Sequence, residues 1–282
     1  MPSSPSFAAP RFTSALTTLL RLRVTLGYAV ALVAIAATLL TLGPEVQAHV
    51  IRHMSTNLHN LGHGRIGTLI GSAFITSEGP MWVWLPGIVS LLALAELLWR
   101  SRRVLVTFLV GHVGATLIVA AGLATALNLG WLPISITRVS DVGMSYGAAA
   151  VLGALTAAIP ARWRFAWIGW WLSIGLMVVF TGGEDFTDVG HFVALLLGIL
   201  VSIRFESVVR WTRIRAALLV VGAAFSYIVF VNTELSLILA PVAGLTGAFV
   251  SHLLAARLRA RRVGPPVVAT PAAAAEPAVA TA

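Results

Sequence analysis

Long apolar runs at close intervals along this chain constrain its fold more than any other feature. They cover residues 24–42, 81–99, 104–124, 142–159, 163–181, 188–203, 214–231 and 235–256. A helix needs about 20 apolar residues to cross the hydrocarbon of a bilayer, and in lipid its backbone polar groups must be satisfied internally. Composition agrees with that reading. The 282 residues are 58% hydrophobic and only 10% charged, with a mean hydropathy of +0.92, whereas a soluble domain carries about 25% charged residues. The first run follows Arg21 and Arg23, is too long for a signal-peptide core and has no convincing cleavage site, so it reads as a retained helix. The expected fold is all-α, a polytopic transmembrane helix bundle of about eight helices.

Arginine placement orients those helices. Arg11, Arg21 and Arg23 precede the first, Arg100, Arg102 and Arg103 separate the second and third, and Arg162 and Arg164 separate the fourth and fifth. Arg204, Arg210, Arg213 and Arg215 separate the sixth and seventh, and Arg257, Arg259, Arg261 and Arg262 follow the eighth. The alternate connections instead hold Glu184, Asp185 and Asp188, or Glu234, or Asp141 with Arg138. Cytoplasmic loops retain positive charge, so both termini are expected to be cytoplasmic, in a multi-pass protein of the plasma membrane. This pattern also accounts for the net charge of +9 without a nucleic-acid partner, and the lipid bilayer is the expected surrounding. The chain has no Cys, which removes disulfides, thiolate nucleophiles and Cys-based metal sites.

Residues 1–15 (Ser- and Pro-rich) are expected to be a flexible start, 16–262 the membrane domain and 263–282 a disordered tail. The connection 43–80 is long for a loop. In it Val46, Val50, Met54, Leu58 and Leu61 form one apolar helical face and His49, His53 and Asn57 another, which predicts a helix lying in the membrane interface. His49 with His53, and His59 with His63, have a spacing that suits zinc, but no carboxylate completes a set, so no metal is expected. His112 lies between Gly111 and Gly114 in the third run, where a tight helix crossing and a structural hydrogen bond are expected. No internal repeat is evident.

The chemistry centres on Ser145, in Gly143-Met144-Ser145-Tyr146-Gly147, and His191, in Asp188-Val189-Gly190-His191. Each stands a few residues into a helix running inward from the outer face, so the two are expected at similar depth. Ser145, Ala149, Gly153 and Ala157 repeat at steps of four, as do Gly190, Ala194 and Gly198. Small residues at that spacing let two helices approach closely in lipid. Close packing is expected to bring the serine oxygen and the imidazole within about 3 Å, the reach of a nucleophile–base pair.

In this arrangement the sequence resembles the rhomboid family of intramembrane serine proteases. The family carries Gly-x-Ser-Gly at the start of its fourth helix and Ala-His-x-x-Gly-x-x-x-Gly in its sixth. Gly143-x-Ser145 matches the first, and His191, Ala194 and Gly198 match the second, with Gly190 in place of its Ala. Arg65 corresponds to a Trp-Arg loop motif and Glu96 to a glutamate at the inner end of the second helix. The resemblance covers 64–204, giving a rhomboid-like core of about 24–204 with extra helices over 214–256.

The resemblance implies a Ser145 nucleophile, a His191 general base, and an oxyanion held by the Ser145 backbone with support from Gly143 and Met144. It implies a single-pass transmembrane protein as substrate or client, and no cofactor. The connection 182–187 is the expected cap over the site. The chain departs from the family at Tyr146, where a Gly is usual, at Ala149, where an aromatic residue is usual, and around 79–84, where a His and an Asn that help hold the oxyanion are lacking. Losing one oxyanion donor slows such reactions about 100- to 1000-fold. The alternatives are a catalytically inactive rhomboid-like pseudoprotease that binds transmembrane segments, and a membrane transporter.

Overall fold

The computed structural model describes residues 19–76, 81–182, 185–206 and 210–262. The expected flexible start (1–15), the tail from 263 and residues 183–184 of the expected cap lie outside the described residues.

The described chain is helical: α1 (Arg23–Leu42), α2 (Pro44–Met54), α3 (Leu58–Gly62), α4 (Thr68–Gly71), α5 (Met81–Trp99), α6 (Ser101–Asn128), α7 (Ser145–Ala154), α8 (Ala161–Thr181), α9 (Phe186–Ser202), α10 (Arg213–Phe230) and α11 (Glu234–Arg262). Six of these, α1, α5, α6, α8, α10 and α11, are long and apolar enough to cross a membrane. Two more apolar helices are shorter, α9 and the segment Ser145–Ala157 formed by α7 and a following 3-10 turn. Each of the eight expected runs therefore carries a helix, six of them long enough to span, which makes a multi-pass membrane bundle.

α7 is the axis of the bundle. Every residue from Tyr146 to Ala154 is buried, as expected for a helix apolar on all sides. It packs against α6 and α9, and touches α5 and α10. The outer helices expose large apolar side chains instead, among them Val30, Val83, Ile228 and Phe249. Without a hydrophobic drive between helices in lipid, close packing depends on small residues, and glycines supply it at several contacts. Gly169 of α8 meets the carbonyl of Gly247 on α11, and Gly247 meets Ser173 in return. Gly87 of α5 receives the Phe225 ring from α10, while Leu91 lies against Gly222.

The arginine-bearing helix ends converge at one end of the bundle. There the Glu96 carboxylate of α5 accepts bonds from the Val24 and Thr25 amides (3.0 and 2.9 Å), the Thr25 hydroxyl (2.7 Å) and the Ser101 hydroxyl. The first amides of a helix lack intrahelical partners and carry partial positive charge, so a carboxylate from α5 caps α1. The turn from α5 to α6 is closed by Arg100 alone, at φ 70°. Arg215 at the start of α10 reaches the Leu97 carbonyl (3.4 Å), and Trp211 reaches the Ala158 carbonyl beyond α7 (3.2 Å).

The connection 43–76 differs from the single interfacial helix expected of it. The helix stops at Met54, because Ser55 and Thr56 turn inward and bond to Asp141, and Asn57 restarts a helix by accepting the Asn60 amide (2.9 Å). Ser, Thr and Asn side chains compete with the helical backbone in this way. The apolar face from Val46 to Leu61 is thus divided between α2 and α3.

Candidate functional site

Ser145 is the first residue of α7, and its position follows from the turn before it. Gly143 has φ 128°, a conformation that side chains disfavour, and its amide donates to the Ser72 carbonyl (2.9 Å). The Asp141 amide donates to the Ser55 hydroxyl (2.7 Å), and the Asp141 carbonyl accepts from the Thr56 amide (2.9 Å) and hydroxyl (3.1 Å). The segment entering α7 is thereby latched to the connection 43–76 at two points. The first intrahelical bond of α7 runs from the Ala148 amide to the Met144 carbonyl (2.9 Å). The amides before Ala148 therefore stand at the positive end of the helix, where negative charge is favoured.

His191 lies in the second turn of α9 and is 5% exposed. α9 runs parallel to α7 in backbone contact. A Cβ on Gly153 would meet the Leu195 carbonyl, one on Gly198 the Ala150 carbonyl, and one on Gly190 the Tyr146 ring. Ser145 and His191 accordingly sit at the same end of the packed pair, and the small residues give the close helix approach expected of them, without the expected hydrogen bond between the two side chains. The two departures at Tyr146 and Gly190 explain each other. The Tyr146 ring occupies the space beside Gly190 and meets the imidazole edge-on (5.2 Å between centroids, 82°), with Phe230 of α10 on another side at 5.7 Å.

The hydroxyl and imidazole are not joined. Among the described residues neither ring nitrogen of His191 has a hydrogen-bond partner. Ser145 is half-buried and lines a cavity of about 510 Å³ between α5 and α10. The helix start beside His191 is well ordered by bonding: Asp185 caps α9 by accepting the Thr187 amide (2.9 Å), and Asp188, only 2% exposed, accepts from Asn232 (2.9 Å). Gly182 packs against the Asp188 carboxylate. Burial, reinforced by Asp185, pushes the Asp141 carboxyl up to about 7, with the Tyr146 hydroxyl partly offsetting the rise.

Sequence reading missed the latch. Its centre is Ser72, wholly buried, whose hydroxyl bonds to His112 Nε2 of α6 (3.1 Å) and accepts from Thr56 (3.2 Å). His112 makes the structural bond expected of it, and Gly111 beside it packs on Ala150 of α7. Nothing in a single sequence identifies Ser72 as its partner. Arg65 braces the same connection by donating to Asn60 (3.2 Å), which in turn holds the Arg52 and Ser55 carbonyls.

A family model described as rhomboid-like protein matches residues 22–206, well over half of the chain. The chain belongs to this family. No curated protein and no solved structure matches it. The matched rhomboid-like residues run from the start of α1 to just beyond α9, so they contain Glu96, the Ser72–His112 pair, Ser145 and His191. The two helices α10 and α11 lie beyond them, although α10 supplies Phe230 beside the imidazole and one wall of the cavity at Ser145.

Proposed function

We propose that this rhomboid-like protein is an intramembrane serine endopeptidase, with Ser145 as nucleophile and His191 as its general base, cleaving a single-pass transmembrane substrate near the outer face. The observation that carries this reading is the parallel, glycine-lined contact of α7 and α9, with both side chains at the same end. Depth supports it. The segment Ser145–Ala157 rises about 20 Å at 1.5 Å per residue, against a hydrocarbon thickness of about 30 Å. A serine at its start is recessed, where a substrate segment unwinding from lipid could meet it.

In the reaction the imidazole takes the Ser145 proton as the hydroxyl attacks the carbonyl, then returns it to the leaving amine. The amide of Ser145, with the Gly143–Met144 turn shaping the helix start, stabilises the oxyanion. No cofactor is required. The unformed hydroxyl–imidazole bond closes on substrate binding, as catalytic bonds often tighten only in the complex. All eight apolar helices cross the plasma membrane in this reading, with cytoplasmic termini and α2 in the interface. The membrane domain spans 16–262, and the bilayer, with no nucleic acid, is its other partner.

A second reading, a pseudoprotease that holds transmembrane segments without cutting them, is favoured by the unpaired imidazole nitrogens. A fluorophosphonate probe separates the two. Labelling of the folded protein that is lost in Ser145→Ala and strongly slowed in His191→Ala is the expected result for the enzyme. A folded protein that resists the probe leaves the binding reading.

A further inference from the structure

The cavity at Ser145 is not enclosed by the family core alone. Its walls are α5, including Trp84 and Gly87, the turn entering α7, and α10, including Val221, Ala224 and Ile228. Among the described residues no charged side chain lines it, and Thr76 and Ser145 carry the hydroxyls of its described lining. Its mouth is bordered by residues open to the surroundings, Val83 at 64% and Ile228 at 66% exposure, so in a bilayer it opens sideways to lipid. At about 510 Å³ it falls in the range of small-ligand pockets, about 300–1,000 Å³. Ala224 is the smallest side chain on the α10 wall.

We propose that this cavity is a subsite for a large apolar side chain of the peptide attacked at Ser145, and that α10, outside the matched residues, sets its size through Ala224. The proposal rests on the reading of Ser145 as nucleophile and extends it to substrate choice. An apolar chamber entered from lipid and ending at a hydroxyl suits a side chain carried by a membrane-embedded peptide. A phospholipid would need a cation for its phosphate, and among the described residues none lines the cavity.

Two measurements test the proposal, and only the first needs a reactive serine. In the first, purified protein reacts with fluorophosphonates bearing either an ethyl or a dodecyl group. The serine oxygen forms a bond to phosphorus, the P–F bond breaks, fluoride leaves and the hydroxyl proton passes to the base. The dodecyl probe is expected to react about tenfold faster, since apolar groups filling a pocket discriminate by about 10- to 200-fold. Ala224→Phe, at an exposed position that tolerates bulk, is expected to lower the dodecyl-to-ethyl ratio at least about fivefold. A ratio unmoved by Ala224→Phe overturns the subsite while leaving the nucleophile in place. Absence of labelling by either probe overturns the nucleophile.

The second measurement then decides the subsite. The chain has no native Cys, so the thiol of an Ala224→Cys, Ser145→Ala double variant can be followed with a small maleimide. A leucine-rich peptide amide is expected to slow that reaction, and to leave Val242→Cys on α11 unaffected. Protection by short-chain phosphatidylglycerol but not by the peptide would make the occupant a lipid, and no protection by either would make the cavity no subsite at all.

Discussion

The Glu96 carboxylate accepts bonds from two backbone amides and two hydroxyls, and in doing so joins α1, α5 and the start of α6. Removing it leaves the Val24 and Thr25 amides, of which Thr25 is buried, without their acceptor, at about 1–3 kcal/mol for each buried orphan. Glu96→Ala is therefore expected to destabilise the protein by about 2–4 kcal/mol in detergent unfolding, with a smaller loss for Glu96→Gln. A change below about 1 kcal/mol would mean that the cap matters little. Asp141 is the reverse case, a carboxylate whose surroundings disfavour charge. Its ordinary value of 3.8 rises to about 7 through burial and the nearby Asp185. The folded state thus holds the proton more tightly than the unfolded one. Its contribution to stability is complete below 3.8 and is lost as pH rises through about 7. Thermal unfolding should occur at higher temperature at pH 5 than at pH 8, and Asp141→Asn should flatten that difference. An unchanged slope in Asp141→Asn would assign the effect to another group.

At the scale of helices, much of the packing is legible in the sequence. Steps of four in Ser145, Ala149, Gly153 and in Gly190, Ala194, Gly198 foretold the α7–α9 contact, because close approach in lipid needs small side chains at one face. Gly111 beside His112 foretold a tight crossing in the same way. The interruption of the outer helix at Ser55 was harder to read, since apolar periodicity continues through it and the competing partner, Asp141, is remote in sequence. The Ser72–His112 bond, 40 residues apart, and the cavity shared with α10 were out of reach, because both depend on tertiary approach that no local pattern encodes. Glycines also differ in what they do, and substitution should sort them. Gly198→Val places a branched side chain into the Ala150 backbone, and is expected to cost about 3 kcal/mol or more and to abolish probe labelling. Gly122 on α6 has nothing within 4 Å of an added Cβ. Gly122→Ala should be neutral or stabilise by up to about 1 kcal/mol through helix propensity. Equal effects from the two, read in parallel unfolding curves, would contradict the packing described for α7 and α9.

For the whole molecule, two ends of the bundle differ in chemistry. One gathers Arg23, Arg100, Arg102, Arg164 and Arg215 around the Glu96 cap and the far end of α7. The other holds Ser145, His191, Asp188, Asn232 and the latch at Ser72. In the proposed function the arginine end is the inner one, on the rule that positive charge is retained on the cytoplasmic side, and the serine end is the outer one. A chain without native Cys permits a direct test with single cysteines and a membrane-impermeant maleimide on intact cells. Arg102→Cys and Arg213→Cys are expected to stay unlabelled until the membrane is opened, whereas Glu45→Cys and Glu234→Cys should react at once. All four positions are exposed, so slow reaction reports the barrier and not burial. Labelling of the arginine positions from outside would invert the orientation and move the proposed cleavage to the cytoplasmic face. Reaction of Glu45→Cys and Glu234→Cys from opposite sides would be more serious. The first lies in the first turn of α2, just past α1, and the second at the start of α11, so an odd number of crossings between them would mean that one of the short helices, α7 or α9, does not span the bilayer.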